Sequence, residues 1–233
     1  MLIHVGDERN GIADRYLAGA LSAVAGALNA VGYLTAHSFT ANMTGNVSAF
    51  ADEFARGSWR TSISFLLLLA LFIGGASLAA AIIAIGEQRG FRSIYALTIA
   101  SEGLIVLGLG LILSASGSIS NMLLISILSA VMGFQNAVTS VISNSRVRTT
   151  HISGMATDIG IGLVDLIKPS LSKKTVLSKL GLYSLTLSAF TFGGVGGVLI
   201  YGLVDTWFFA LAGGCLFVVA LPEILRARRL PRS

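Results

Sequence analysis

Two short polar patterns recur in a chain otherwise poor in polar groups, and both have the chemistry to handle a solute. The first is a stripe. Ser22, Gly26, Asn29 and Tyr33 fall at i, i+4, i+7 and i+11, and Ser129, Gly133, Asn136 and Ser140 repeat that spacing. On a helix each set shares one face. An asparagine offers an amide donor and an acceptor without a full charge, and Gln135 beside Asn136 adds a second amide. Such a stripe either lines a solute path or serves as packing, since small residues let helices approach and a buried amide holds them together.

The second pattern follows each stripe. Thr40-Ala-Asn-Met-Thr-Gly-Asn46 and Thr149-Thr-His-Ile-Ser-Gly-Met155 both place hydroxyls before a glycine and then a short helical stretch. Helix starts inside a protein aim unsatisfied N–H groups and a positive dipole end at whatever occupies the space before them. If both point inward, Thr44, Gly45, Asn46, Ser153 and Gly154 face a polar or anionic guest. The alternative is a pair of interfacial turns capped by Thr44 and Ser153, with Gly45 and Gly154 as turn residues.

Ionisable groups within the apolar stretches are few. Glu102 sits mid-span with Thr98 one turn before it, and is either a proton-coupling residue or hydrogen-bonded to a neighbouring hydroxyl. Arg148 and His151 in the second break, and His37 in the first, could bind an anion or carry protons, or meet lipid headgroups at helix ends. Asp52, Glu53 and Arg56 read as a solvated face. Gly193, Gly194, Gly196 and Gly197 read as helix-packing positions, because no strand-turn-helix unit surrounds them. No HExxH or Cys/His metal pattern and no G-x-S-x-G elbow occurs. The three histidines lie far apart, so no catalytic residue, metal site or cofactor is expected. The single Cys215 excludes an intrachain disulfide.

The elements that must position these groups follow from composition. Of 233 residues 54% are hydrophobic and 12% charged, with mean hydropathy +0.82, about half the charge of a soluble domain. The stretches 61–86, 93–119 and 180–204 are long enough to cross a hydrocarbon core of ~30 Å. Runs apolar on every side, such as Phe65 to Phe72, exclude a membrane barrel. The net charge of +5 then reads as the positive-inside rule and not as nucleic-acid binding. Lipid is the expected partner, a small solute the expected ligand, and homo-oligomer formation is left open.

The chain also contains itself twice. Leu21 to Val31 (LSAVAGALNAV) matches Leu128 to Val138 (LSAVMGFQNAV) at eight of eleven positions, offset by 107. Thr44-Gly45 matches Ser153-Gly154 at offset 109, and 72–77 matches 191–196 at offset 119. A single membrane domain, 1–233, therefore divides into repeats at about 14–115 and 121–226. Each repeat holds three apolar segments, with a short polar one, 44–55 or 153–167, after the first. If the short segments re-enter or lie in plane, fourteen basic residues share a side against Arg56 and Arg60. If they cross, giving eight spans, the balance is twelve to four, so six spans with both termini cytoplasmic are favoured. Three spans per repeat invert the second half relative to the first, a plan common in transporters, with the site near the midplane.

The segments Gly32 to Asn46, Gly133-Phe-Gln-Asn136 and Arg148 to Gly154 resemble the YoaK-type family of small bacterial inner-membrane proteins. That family carries an MTGN element after the first helix, a GxQNA element in the second half and a TTxxTG element after it. The likeness runs from about Asp14 to Ala227, with Ser153 where the family usually has Thr. It implies a multi-pass protein of the bacterial inner membrane and supplies no substrate or reaction. The residues favour a transporter or channel for a small polar or anionic solute, ahead of a non-transporting accessory or scaffold protein and, third, a membrane-embedded enzyme.

Overall fold

The computed structural model describes Leu2, Val5, Gly6 and residues 11–116, 119–168 and 172–229. His4, one of the three histidines, and Arg9 and Arg232, two of the fourteen basic residues assigned to one side, lie outside these. Within them the chain is all helix: α1 (Gly11–Ala36), α2 (Met43–Ala55), α3 (Trp59–Gln88), α4 (Ile94–Ser116), α5 (Asn121–Ile142), α6 (Ile152–Asp165), α7 (Lys173–Val204) and α8 (Trp207–Arg229). Six are long and apolar enough to cross a membrane. The other two, α2 and α6, have 13 and 14 residues and reach only ~20 Å.

Local chemistry sets the ends. Helix α1 stops where His37 takes φ 51°, and α5 stops at Ser143 before Asn144 and Ser145 take φ 50° and 61°. These left-handed residues turn the chain back on itself after each first span. Gly57 (φ 79°) and Gly90 (φ 70°) serve the turns before α3 and α4, where a side chain would be strained. Helix α7 begins seven residues before the apolar segment read from the sequence. Lys173, Lys174 and Lys179 are good helix formers, and the exposed first turns need no apolar face.

Helices α1 and α5 lie at the centre and run antiparallel. The Asp14 carboxylate at the start of α1 pairs with Arg146 Nε just after α5, at 3.1 Å. Asn121 Nδ2 at the start of α5 donates to the carbonyl of Thr35 near the end of α1, at 3.0 Å. Helix α7 packs along α1, α3 along α5, and α4 along α8, while α2 leans on α3 and α6 on α7. The buried core draws on Leu17, Leu21 and Leu28 of α1 and Leu128, Met132 and Val138 of α5. On α3 and α7 large apolar side chains such as Ile63, Leu78, Phe192 and Leu203 point outward. In water such a surface would be a liability; here it is the lipid-facing surface.

Lipid tails are as apolar as leucine, so helix pairing depends on close approach. A methyl group on Gly133 would sit 1.9 Å from the Phe72 carbonyl oxygen, and one on Gly26 would sit 2.0 Å from that of Phe190. Gly75 meets the carbonyl of Ala130 and Gly193 that of Ala23 in the same way, at 1.9 and 2.1 Å. These contacts match in pairs: Gly26 with Gly133, Ala23 with Ala130, Phe72 with Phe190, Gly75 with Gly193. The spatial correspondence of α3 with α7 is thus an offset of 118, one residue less than the sequence alignment. Of the four clustered glycines, Gly193, Gly194 and Gly197 lie against α1 while Gly196 faces open space.

Candidate functional site

After α1 the chain does not leave; it folds back along the helix it has just completed. Phe39 stacks on Tyr33 at 4.5 Å, and the Thr40 carbonyl accepts from Ser129 Oγ of α5 at 3.3 Å. The Ala41 amide donates to Asn29 Oδ1 at 2.9 Å. Asn29 lies seven residues before the end of α1, so the returning chain reaches ~10 Å inside it. Asn42 then caps α2, its Oδ1 accepting from the Gly45 amide at 3.1 Å, and Asn46 Nδ2 donates back to the Phe39 carbonyl at 2.9 Å.

The second break is built alike from different groups. Ser143 Oγ accepts from the Val147 amide at 2.9 Å. Thr149 Oγ1 donates to Asn136 Oδ1 at 3.1 Å and lies 3.3 Å from Gln135 Oε1, and Asn136 Nδ2 donates to Thr150 Oγ1. His151 holds the N-cap position of α6 but makes no side-chain cap bond. The caps are therefore Asn42 and His151, not Thr44 and Ser153, which sit inside the first turns. Gly45 and Gly154 are likewise third residues of their helices, not turn residues. A methyl group on Gly45 would meet Asn42 Nδ2 at 2.6 Å, and one on Gly154 would meet His151 Nε2 at 1.9 Å. Each glycine leaves room for the cap side chain to fold over it.

Both breaks open on one cavity of about 570 Å³. Asn29, Asn42 and Thr44 line it from the first half; Asn136, Thr150 and Ser153 line it from the second. Arg148 and His151 add a guanidinium and an imidazole, and Phe39, Phe72 and Phe190 supply aromatic walls. Arg148 is the one charged residue of the lining, which contains no acid, and neither α2 nor α6 has an acidic residue in its first turn. The wall thus presents hydroxyls, amides, two helix starts and one positive charge. It can hydrogen-bond a polar group and balance an anion. An apolar groove of about 490 Å³ between α1 and α7 adjoins it, sharing Asn29 and Phe190.

Of the residues singled out from the sequence, the cavity brings together Asn29, Thr44, Asn136, Arg148, Ser153 and His151. Gly45, Asn46, Gln135 and Gly154 stand behind the lining and shape it. His37 is the turn residue at the end of α1, away from the cavity. Glu102 is elsewhere as well: it is fully buried on α4, whose next residue, Gly103, lies against Gly213 and Leu216 of α8. The hydroxyl bond that was one of its two readings is not made among the described residues. Thr98 Oγ1 donates to the Ile94 carbonyl at 2.6 Å, and both Glu102 oxygens lack a hydrogen-bond partner among the described residues. Asp52 and Arg56 pair at 3.0 Å on the exposed face of α2, as the charge pattern implied, and that bond raises the Arg56 pKa above its ordinary value.

Sequence reasoning passed over the three phenylalanines. A signal existed, because Phe72 and Phe190 each stand three residues before a glycine that touches the opposing helix. The alignment at offset 119 set Phe72 against Thr191 and hid it.

No curated protein and no solved structure matches the chain. A family profile does, over residues 17–221, a range that takes in both stripes, both breaks and the whole cavity lining. The chain accordingly belongs to the family described as protein of unknown function, DUF1275.

Proposed function

We propose that the protein is a transporter or channel for a small polar or anionic solute. In this reading the two halves are inverted three-helix repeats, α2 and α6 are re-entrant half-helices, and the solute path runs between the repeats near Asn29 and Asn136. One observation carries it. The starts of α2 and α6, reached from opposite ends of the antiparallel α1–α5 pair, line a single polar cavity with both asparagines. Non-helical backbone at membrane depth is tolerated where it is buried in protein or lines an aqueous space. The matched contacts of Gly26 and Gly133, and of Gly75 and Gly193, support a two-fold relation between the halves. The basic residues favour a bacterial inner-membrane orientation with both termini cytoplasmic.

The test is flux into proteoliposomes across a panel of small anions, amines and neutral polar solutes. Saturable uptake of one class, lowered by Asn29→Ala with Asn136→Ala in protein that stays monodisperse, is the expected result. A blank across the whole panel sinks the transport reading.

A second reading, an accessory or scaffold protein, is favoured by a different observation. The Asn29 oxygen and both ends of the Asn136 amide already bond to the returning chain, which is a packing role. It predicts that the double substitution lowers stability in detergent and that no solute moves.

A further inference from the structure

The two walls of the cavity differ in kind although they occupy corresponding places. At offset 109, which pairs Thr44 with Ser153, the equivalent of Arg148 is Phe39, that of Thr150 is Ala41, and that of His151 is Asn42. One wall therefore offers a guanidinium, an imidazole and hydroxyls, with no carboxylate in the lining to neutralise them. The opposite wall carries no charge and sets an aromatic ring, a methyl and the Met43 side chain beside the amides of Asn29 and Asn42 and the Thr44 hydroxyl. Phe39 is held in place by its stack on Tyr33, and the apolar groove between α1 and α7 adjoins the cavity, sharing Asn29 and Phe190 with it.

A bare inorganic anion would use the cation and the polar groups and leave Phe39, Ala41 and Met43 of the lining unmatched. An anionic head is drawn to the guanidinium of Arg148, while the side chains of Phe39, Phe72 and Phe190 offer it neither charge nor an N–H or O–H donor. An apolar body gains by displacing water from those same rings. We infer that the cavity takes a small organic anion, its charged head at Arg148 and His151 and its apolar body against Phe39 and Phe190. This rests on the transport reading for the use of the site, while the ligand class rests on the lining alone.

Sulfonates are the suitable probes, because they stay ionised and do not leak across a bilayer as weak acids do. Binding to purified full-length protein is measured by calorimetry for methanesulfonate, benzenesulfonate, benzenesulfonamide and sodium sulfate, with flux of the same set in proteoliposomes. Benzenesulfonate is expected to bind about tenfold or more tighter than methanesulfonate or sulfate, the gain from burying a ring. Phe39→Ala should remove most of that gain and leave methanesulfonate binding within about threefold. Arg148→Gln should weaken both sulfonates at least about tenfold, and Arg148→Lys should restore the head-group contact. Size-exclusion profiles establish that each variant is folded, and the lysine variant keeps the test decisive if glutamine is poorly tolerated.

Sulfate binding and moving as well as benzenesulfonate overturns the inference and leaves the transport reading standing. Benzenesulfonamide binding as tightly as benzenesulfonate overturns it too, since the head would then need no charge. Sulfonates that bind as expected but do not move support the inference while removing transport. Failure of every probe to bind overturns it, whatever the wider flux panel gives.

Discussion

The two breaks do the same structural job with opposite chemistry. In the first, neutral groups hold the returning chain and cap the helix: Asn29 receives the Ala41 amide and Asn42 caps α2 through Gly45. In the second, Thr149 has two acceptors within reach, Gln135 and Asn136, and His151 leaves the α6 start without a side-chain cap. A break that only had to turn the chain would gain from a cap, worth about 1 kcal/mol. The second break does without one and places Arg148 and His151 on the cavity instead. In the proposed transporter, that difference gives the first break mainly a scaffolding role and the second the contact with the solute.

Substitutions separate these roles. The largest effect belongs to what the halves share: Gly26→Leu and Gly133→Leu each drive a side chain into an opposing carbonyl. Neither variant should give monodisperse protein in detergent, and equal failure at both crossings is expected. A folded Gly133→Leu beside an unfolded Gly26→Leu would break the equivalence of the halves. Next, Asn29→Ala strands the buried Ala41 amide and should cost about 1–3 kcal/mol in detergent melts. Asn136→Ala should cost about 1 kcal/mol, because Thr149 still has Gln135 as acceptor.

Smaller still, Asn42→Ala should lose about 1 kcal/mol as a helix cap disappears. His151→Asn should gain up to about 1 kcal/mol by installing one, while lowering flux or anion binding. A His151→Asn protein that is both more stable and fully functional would return the second break to scaffolding. The smallest effect is expected at Glu102, which lies outside the cavity lining. Glu102→Gln removes an unpartnered buried carboxyl and should leave the melting temperature at or above that of the parent, with flux unchanged. Loss of flux there would move the working site to the α4–α8 contact.

Legibility tracked how local each feature is. The spacing of Ser22, Gly26 and Asn29 and of Ser129, Gly133 and Asn136 is a helix face, readable from periodicity, and both stripes do lie on the central helices. The ends of α2 came within two residues of the structure, because a short polar stretch between apolar segments is itself a signal. The alternative of caps at Thr44 and Ser153 fails because Asn42 and Thr44 are both chemically suitable and Ser153 is the suitable residue next to His151, and only backbone geometry puts Asn42 and the non-capping His151 at the N-cap positions. The Phe72–Phe190 correspondence was lost to a one-residue shift that glycine-rich helices allow.

The amino-acid sequence by itself determined the all-helical membrane class, the six long apolar helices and the recurrence of polar groups. Each follows from length, apolarity and spacing along one stretch of chain. Tertiary structure alone decided that Asn29, Arg148 and Phe190 share a cavity and that Glu102 does not. Those residues lie far apart in the chain, and what joins them is the depth to which two breaks fold back from opposite ends of an antiparallel pair. The returning chain is held at that depth by bonds to Asn29, Ser129 and Asn136, partners that the sequence of either break does not name.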